Sequence, residues 1–206
     1  MFKKLLVLLA LVASPVYAAE HMDLVIASYQ NEDGTPVRFQ HIYNHTLGVD
    51  WLKLSGINNI DLDDDYNKAR LQIKPRLKAR FWETNRFAFH VVNQFEYFET
   101  TRFDRTSNRV GVGTQYNAGT LSVEVNYMPY DSFDEVGRWD SYINYRFGKS
   151  GWGFNNQYWF VPETDQYYEQ ATLSYNVWKN VSVQVQRQIM HQQDRVDRIG
   201  FSMRFK

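Results

Sequence analysis

The residues of this chain best placed to do chemistry lie in one run. Lys68, Arg70, Gln72, Lys74, Arg76, Lys78 and Arg80 alternate with Ala69, Leu71, Ile73, Pro75, Leu77, Ala79 and Phe81. Lys and Arg number 23 among 206 residues, so a column whose one uncharged member is Gln72 is not an accident of composition. Alternation with a period of two puts the polar side chains on one face of a strand, about 7 Å apart. Like charges at that spacing repel, so the column costs stability unless acidic neighbours, counterions or a ligand offset it. On an exposed edge strand such lysines would only discourage aggregation. Lining a pore, they would attract anions and offer successive weak sites along a path. The arginines would add a planar fork that grips a carboxylate through two hydrogen bonds.

Other basic residues fall on the polar faces of their own predicted strands: Arg38, Arg86, Arg109, Arg138, Arg146, Arg198 and Arg204. Glu124 and Asp140 share that parity and would pair with arginines. Tyr142, Trp159 and Tyr168 also share it. Their rings suit either the apolar faces of sugars or the filling of a narrow interior. The predicted lining of an anion path is Arg38, Arg70, Lys74, Arg76, Lys78, Arg80, Arg109, Arg138, Arg146, Arg198 and Arg204.

Catalytic chemistry has fewer starting points. The chain has no cysteine, which removes disulfides, thiolate metal sites and a Cys nucleophile. A hydrolase needs a nucleophile within reach of a base that a third group orients. None of His21, His41, His45, His90 and His191 sits in a His-x-Ser-Asn-Gly-like setting. His41 and His45 share a strand face with Phe39 and Tyr43, which favours an interface role over a metal site. The chain is therefore predicted not to be an enzyme and to need neither metal nor cofactor. A lipid-hydrolysing barrel and a structural or adhesive barrel are the alternatives.

The elements that must position these residues are strands. Lys3 and Lys4 precede the apolar run 5–12 and the small-residue end Val16-Tyr17-Ala18. That is the pattern of a signal peptide over residues 1–18, too short to span a bilayer, which takes roughly 20 residues. Its removal would leave 19–206 with two more acids than bases. Phe, Tyr and Trp make up 17% of the residues while the mean hydropathy is −0.53, an unusual pairing for a disordered chain or a helical bundle. No global basic excess invites nucleic acid. Period-2 segments predict twelve strands near 22–30, 36–45, 49–57, 67–82, 86–98, 108–117, 120–129, 138–148, 151–161, 166–177, 180–190 and 196–205.

Short turns alternate along the chain with longer acidic connections at 31–35, 58–66, 100–107, 131–137 and 162–165. Aromatic residues crowd both strand margins, as two membrane interfaces favour. This is the layout of an all-β, transmembrane antiparallel barrel of twelve strands in the bacterial outer membrane. A soluble sandwich shares the periodicity, but its polar face would carry mixed Lys and Glu rather than Gln, Asn, Ser and Arg. In a membrane barrel the polar face is the lumen, so acids are expected to concentrate in external loops and bases along the channel. Two residues conflict with the pattern. Pro75 removes a ladder hydrogen bond, and Arg187 falls on the lipid-facing parity, which a bulge or a place near the interface would resolve.

The run Arg138-Trp139-Asp140-Ser141-Tyr142-Ile143-Asn144-Tyr145 and the ending Arg198-Ile199-Gly200-Phe201-Ser202-Met203-Arg204-Phe205-Lys206, with the basic strand and the strand count, resemble the oligogalacturonate-specific porin family, which includes the sialic-acid channel of enteric bacteria. The resemblance implies a monomeric twelve-stranded outer-membrane channel for passive uptake of anionic oligosaccharides, seated among outer-membrane lipid and lipopolysaccharide. It also implies two facing basic tracks. Arg70, Lys74, Arg76, Lys78 and Arg80 would form one, with Arg138, Arg146, Arg198 and Arg204 as candidates for the other.

Overall fold

Segments that alternate apolar and polar residues, joined by turn residues, can satisfy their backbone polar groups within a membrane only by closing into a barrel. The computed structural model has that closure. It describes residues 19–29, 38–62, 67–132, 136–192 and 195–205; the predicted signal peptide lies outside them. The strands are β1 (Ala19–Tyr29), β2 (Arg38–Thr46), β3 (Leu52–Leu62), β4 (Lys68–Glu83), β5 (Phe87–Thr100), β6 (Asp104–Ala118), β7 (Leu121–Asp131), β8 (Arg138–Arg146), β9 (Trp152–Val161), β10 (Gln166–Trp178), β11 (Val181–Met190) and β12 (Val196–Phe205). Each pairs antiparallel with its sequence neighbour, and β1 pairs with β12 from Met22 opposite Phe205 to Tyr29 opposite Arg198, which closes the barrel.

The burial pattern is inverted relative to a soluble domain. Among the described residues the buried apolar side chains are Ala88, Val92, Met128 and Val161, against a longer set of buried arginines, glutamines and acids. Phe89, Val91, Phe95, Val112, Leu173, Val185 and Phe201 are exposed on the outside, where lipid would cover them. Ala88 and Val92 of β5 and Met128 of β7 form a small packed region on the β5–β7 wall, while Val161 ends β9. Gly111 and Gly113 of β6 make room for it: a Cβ on Gly113 would lie 2.6 Å from His90 Nε2, and one on Gly111 would lie 2.8 Å from Met128 Cγ.

Three irregularities matter for the site. At Pro75 the β4–β5 ladder runs from Ile73 opposite Tyr97 to Arg76 opposite Gln94, without pairing at Lys74 and Pro75. The β6–β7 register shifts between Val110 and Val112, and this bulge lets both Met128 and Asp131 be buried. The β4–β5 register shifts between Arg80 and Trp82, so consecutive Phe81 and Trp82 are both exposed. Arg187 needs no bulge, since its register with Asp197 is continuous. Its Nε lies 2.9 Å from an Asp197 oxygen on the outer face, three residues from the loop end of β11.

Two predicted loops are shorter than the spacing suggests. The connection expected over 100–107 is only 101–103, because β5 runs to Thr100 and β6 starts at Asp104. Asp61 and Asp131, assigned by sequence to acidic loops, end strands instead and point into the barrel. Acids are therefore not confined to the loops.

Candidate functional site

The lumen is the candidate site. Strand parity sends the basic column of β4 inward, where Lys74 and Arg76 are buried and Arg70, Lys78 and Arg80 are partly so. The side chain of Lys68 lies outside the described set. The repulsion built into such a column is answered by acids from neighbouring strands. Asp61 of β3 accepts a two-pronged contact from Arg38, at 2.7 and 2.9 Å, and lies 2.5 Å from Arg70. Lys78 donates to Glu124 at 2.7 Å.

Arg76 spans the interior from β4 to β7 and β8. It contacts Glu124 at 3.2 Å and Asp140 at 3.4 Å, donates to Gln94 at 2.7 Å and to the Tyr142 hydroxyl, and lies over the Tyr142 ring at 4.3 Å from its centroid. It forms a crossbar between β4 and the β7–β8 wall. Arg138 closes on Asp140 at 2.8 Å and lies over the Trp159 ring at 5.4 Å. Arg109 pairs with Glu96 at 2.8 Å and with Asp131.

The crossbar and the packed β5–β7 region leave the open space against the remaining wall. A chamber of about 850 Å³ opens toward the short turns, and a smaller one of about 160 Å³ lies toward the long loops. Lys74, Gln40, Gln157, Gln170 and Ile57 belong to the walls of both. Arg146 and Arg204 line the wide chamber, while Arg38, Arg70, Arg109 and Arg138 line the narrow one. Arg198 is buried and donates to Gln188 at 2.7 Å and Gln186 at 3.2 Å. Arg80 pairs with Glu83 at 2.9 Å near the short-turn rim. Arg86 is in the β4–β5 turn and exposed, so its assigned parity does not hold.

The wall opposite β4 carries amides. Gln157, Gln170, Gln184 and Gln186 are buried on β9, β10 and β11. Sequence reading noticed that polar faces are rich in Gln and Asn but assigned them no part. The second basic track implied by the resemblance is not a continuous column: Arg138 joins the β4-side network through Asp140, and Arg146 and Arg204 stand near the short-turn end. Glu96 was also missed. Its signal was an inward-parity carboxylate on β5 beside Arg109 of the adjacent strand β6, which only the register makes visible.

No protein-family model matches this chain, and neither does any curated protein. Solved structures share its fold. The chain is similar to the KdgM porin (TM-score 0.63, 16% identity, covering 90% of this chain and 99% of that one). It is similar to the outer membrane phospholipase A from Escherichia coli (TM-score 0.67, 14% identity, 94% and 93%). It is also similar to the NanC porin (TM-score 0.60, 12% identity, 88% and 98%).

Proposed function

We propose that this chain, exported by the signal peptide at 1–18, is a monomeric outer-membrane porin that passes acidic saccharides. The observation that carries the reading is the basic column of β4 facing the lumen across from a wall of amides. Cations attract the carboxylates of such a ligand, and amides donate to and accept from its hydroxyls. The KdgM porin, whose fold is similar, has been captured with disordered oligogalacturonate, which agrees with this choice of ligand class. Lipid and lipopolysaccharide would surround the outer face.

The phospholipase likeness supports a second reading, a lipid hydrolase. Two imidazoles argue against it, since His41 meets the amide of Asn58 at 3.4 Å and His90 the amide of Asn126 at 2.7 Å. Neither holds a hydroxyl nucleophile. Planar-bilayer recordings under a salt gradient test the proposal. Anion preference is expected, and the pair Arg76→Ala with Lys78→Ala should weaken it. Cation preference, or no conductance together with phospholipid hydrolysis, would overturn the porin reading.

A further inference from the structure

Among the described basic side chains of β4, one differs from the others in what it touches. Arg70, Arg76, Lys78 and Arg80 each have a carboxylate within 3.4 Å. Lys74 stands in the middle of that column, only 8% exposed, with no ion pair or side-chain hydrogen bond to any described residue. The charged groups around it are Arg138, Arg76, Glu96 and Asp140, and both acids are already engaged. Glu96 accepts from Gln72 at 2.6 Å through one oxygen and from Arg109 at 2.8 Å through the other. Asp140 lies 2.8 Å from Arg138 Nε through Oδ1, and its Oδ2 accepts from Arg138 at 3.0 Å and from Tyr142 at 3.3 Å. Register would set Glu96 across from Lys74, but the ladder is interrupted there beside Pro75.

A buried cation without a partner is unfavourable until an anion is supplied. Lys74 is also placed where an anion would pass, because it belongs to the walls of both chambers together with Gln40, Gln157 and Gln170. We propose that Lys74 is a discrete anion-binding post at the junction of the two chambers, built for a carboxylate carried on a hydroxylated ring. This rests on the porin reading and sharpens it. Most of the apparent ladder is neutralised by the protein's own acids, so the middle of the path holds one binding cation rather than a series. Flux of such a ligand should then saturate as at a single site.

The test is block of chloride current through the full-length channel by glucuronate, with acetate and glucose as comparison probes. Glucuronate should block saturably, while acetate or glucose at the same concentration should not. Lys74→Met should raise the half-blocking concentration at least tenfold, and Lys74→Arg should restore it to within about threefold. Lys179→Met removes a charge from the wall of the wide chamber and should leave it within about twofold. Heat-modifiable mobility in detergent gels reports that each variant is folded. Unchanged block in Lys74→Met, equal relief in Lys179→Met, or equal block by acetate would overturn the proposal. The reversal potential of the same wild-type channels keeps the two readings apart: cation preference sinks the porin reading, whereas anion preference with block unchanged by Lys74→Met sinks only the binding post.

Discussion

At the scale of single residues, Arg76 is the side chain with most consequences. Its guanidinium joins β4 to Glu124, Asp140 and Tyr142 across the interior, so it is a strut as well as a charge. Arg76→Ala removes the strut and leaves acids that still have Lys78 and Arg138 as partners. Breaking a buried ion pair from one side costs about 3–5 kcal/mol, and the surviving partners place this case near the lower end. Urea unfolding in lipid vesicles should show a loss of about 3 kcal/mol, and single-channel conductance of folded Arg76→Ala should rise because the crossbar is gone. Lower conductance would mean that Arg76 does not obstruct the lumen. The outer pair Arg187–Asp197 is partly exposed near the loop end of β11, and surface pairs contribute about 0–1 kcal/mol. Arg187→Gln should therefore leave the same unfolding midpoint nearly unmoved. The column on β4 was legible because period-2 alternation is written in consecutive residues. That Glu124 and Asp140 pair with arginines was legible from parity as well. Which carboxylate each cation takes was not, since Arg76 reaches partners 48 and 64 positions away.

At the scale of elements, alternation and turn residues were enough to place twelve strands, most of them ending within two or three residues of the predicted ends. The interruption at Pro75 was legible from the proline itself, but the bulges were not. The β6–β7 bulge changes which residues face inward, so Asp131 is read as a loop acid until the shift at Val110–Val112 is known. The β5–β6 hairpin is longer than predicted because Glu99 and Asp104 have weak strand preferences that their pairing overrides. Gly111 and Gly113 are explained at this scale too. They open a hollow in β6 that the His90–Asn126 pair and Met128 fill. Gly113→Ala would push a methyl group against His90 Nε2 and Asn126 Oδ1. Overpacking of this kind costs about 1–3 kcal/mol. Gly113→Ala should lower the urea midpoint measurably, whereas alanine at Gly119, which has nothing within 4 Å of an added Cβ but a φ of +65°, should act only through backbone strain. Equal midpoints for wild type and Gly113→Ala would show that the packed region has slack.

At the scale of the whole molecule, a neutral formal charge combined with abundant aromatics resolves into two surfaces with separate partners. The outer one is apolar and aromatic; the inner one holds bases and acids together, and this replaces the expectation of bases inside and acids in the loops. Strand ends were legible as aromatic-rich, but which rings face outward depends on bulges and register. Trp51, Trp82, Trp152 and Trp178 are exposed at the short-turn end, and Trp139 is exposed toward the loops. Trp159 is in the wall of the narrow chamber, stacked on Tyr168 at 5.9 Å. Indole rings favour the headgroup level of a bilayer, so five of the six tryptophans should sit at one or other interface and one should be shielded from lipid. Lipids brominated near the headgroup should therefore quench most of the emission, and lipids brominated near the chain terminus much less. Trp159→Phe should raise the quenched fraction, because it deletes the emitter that lipid cannot reach. Equal quenching at both depths would mean that the rings do not form two belts, and an unchanged fraction in Trp159→Phe would place that residue in contact with lipid rather than with the lumen.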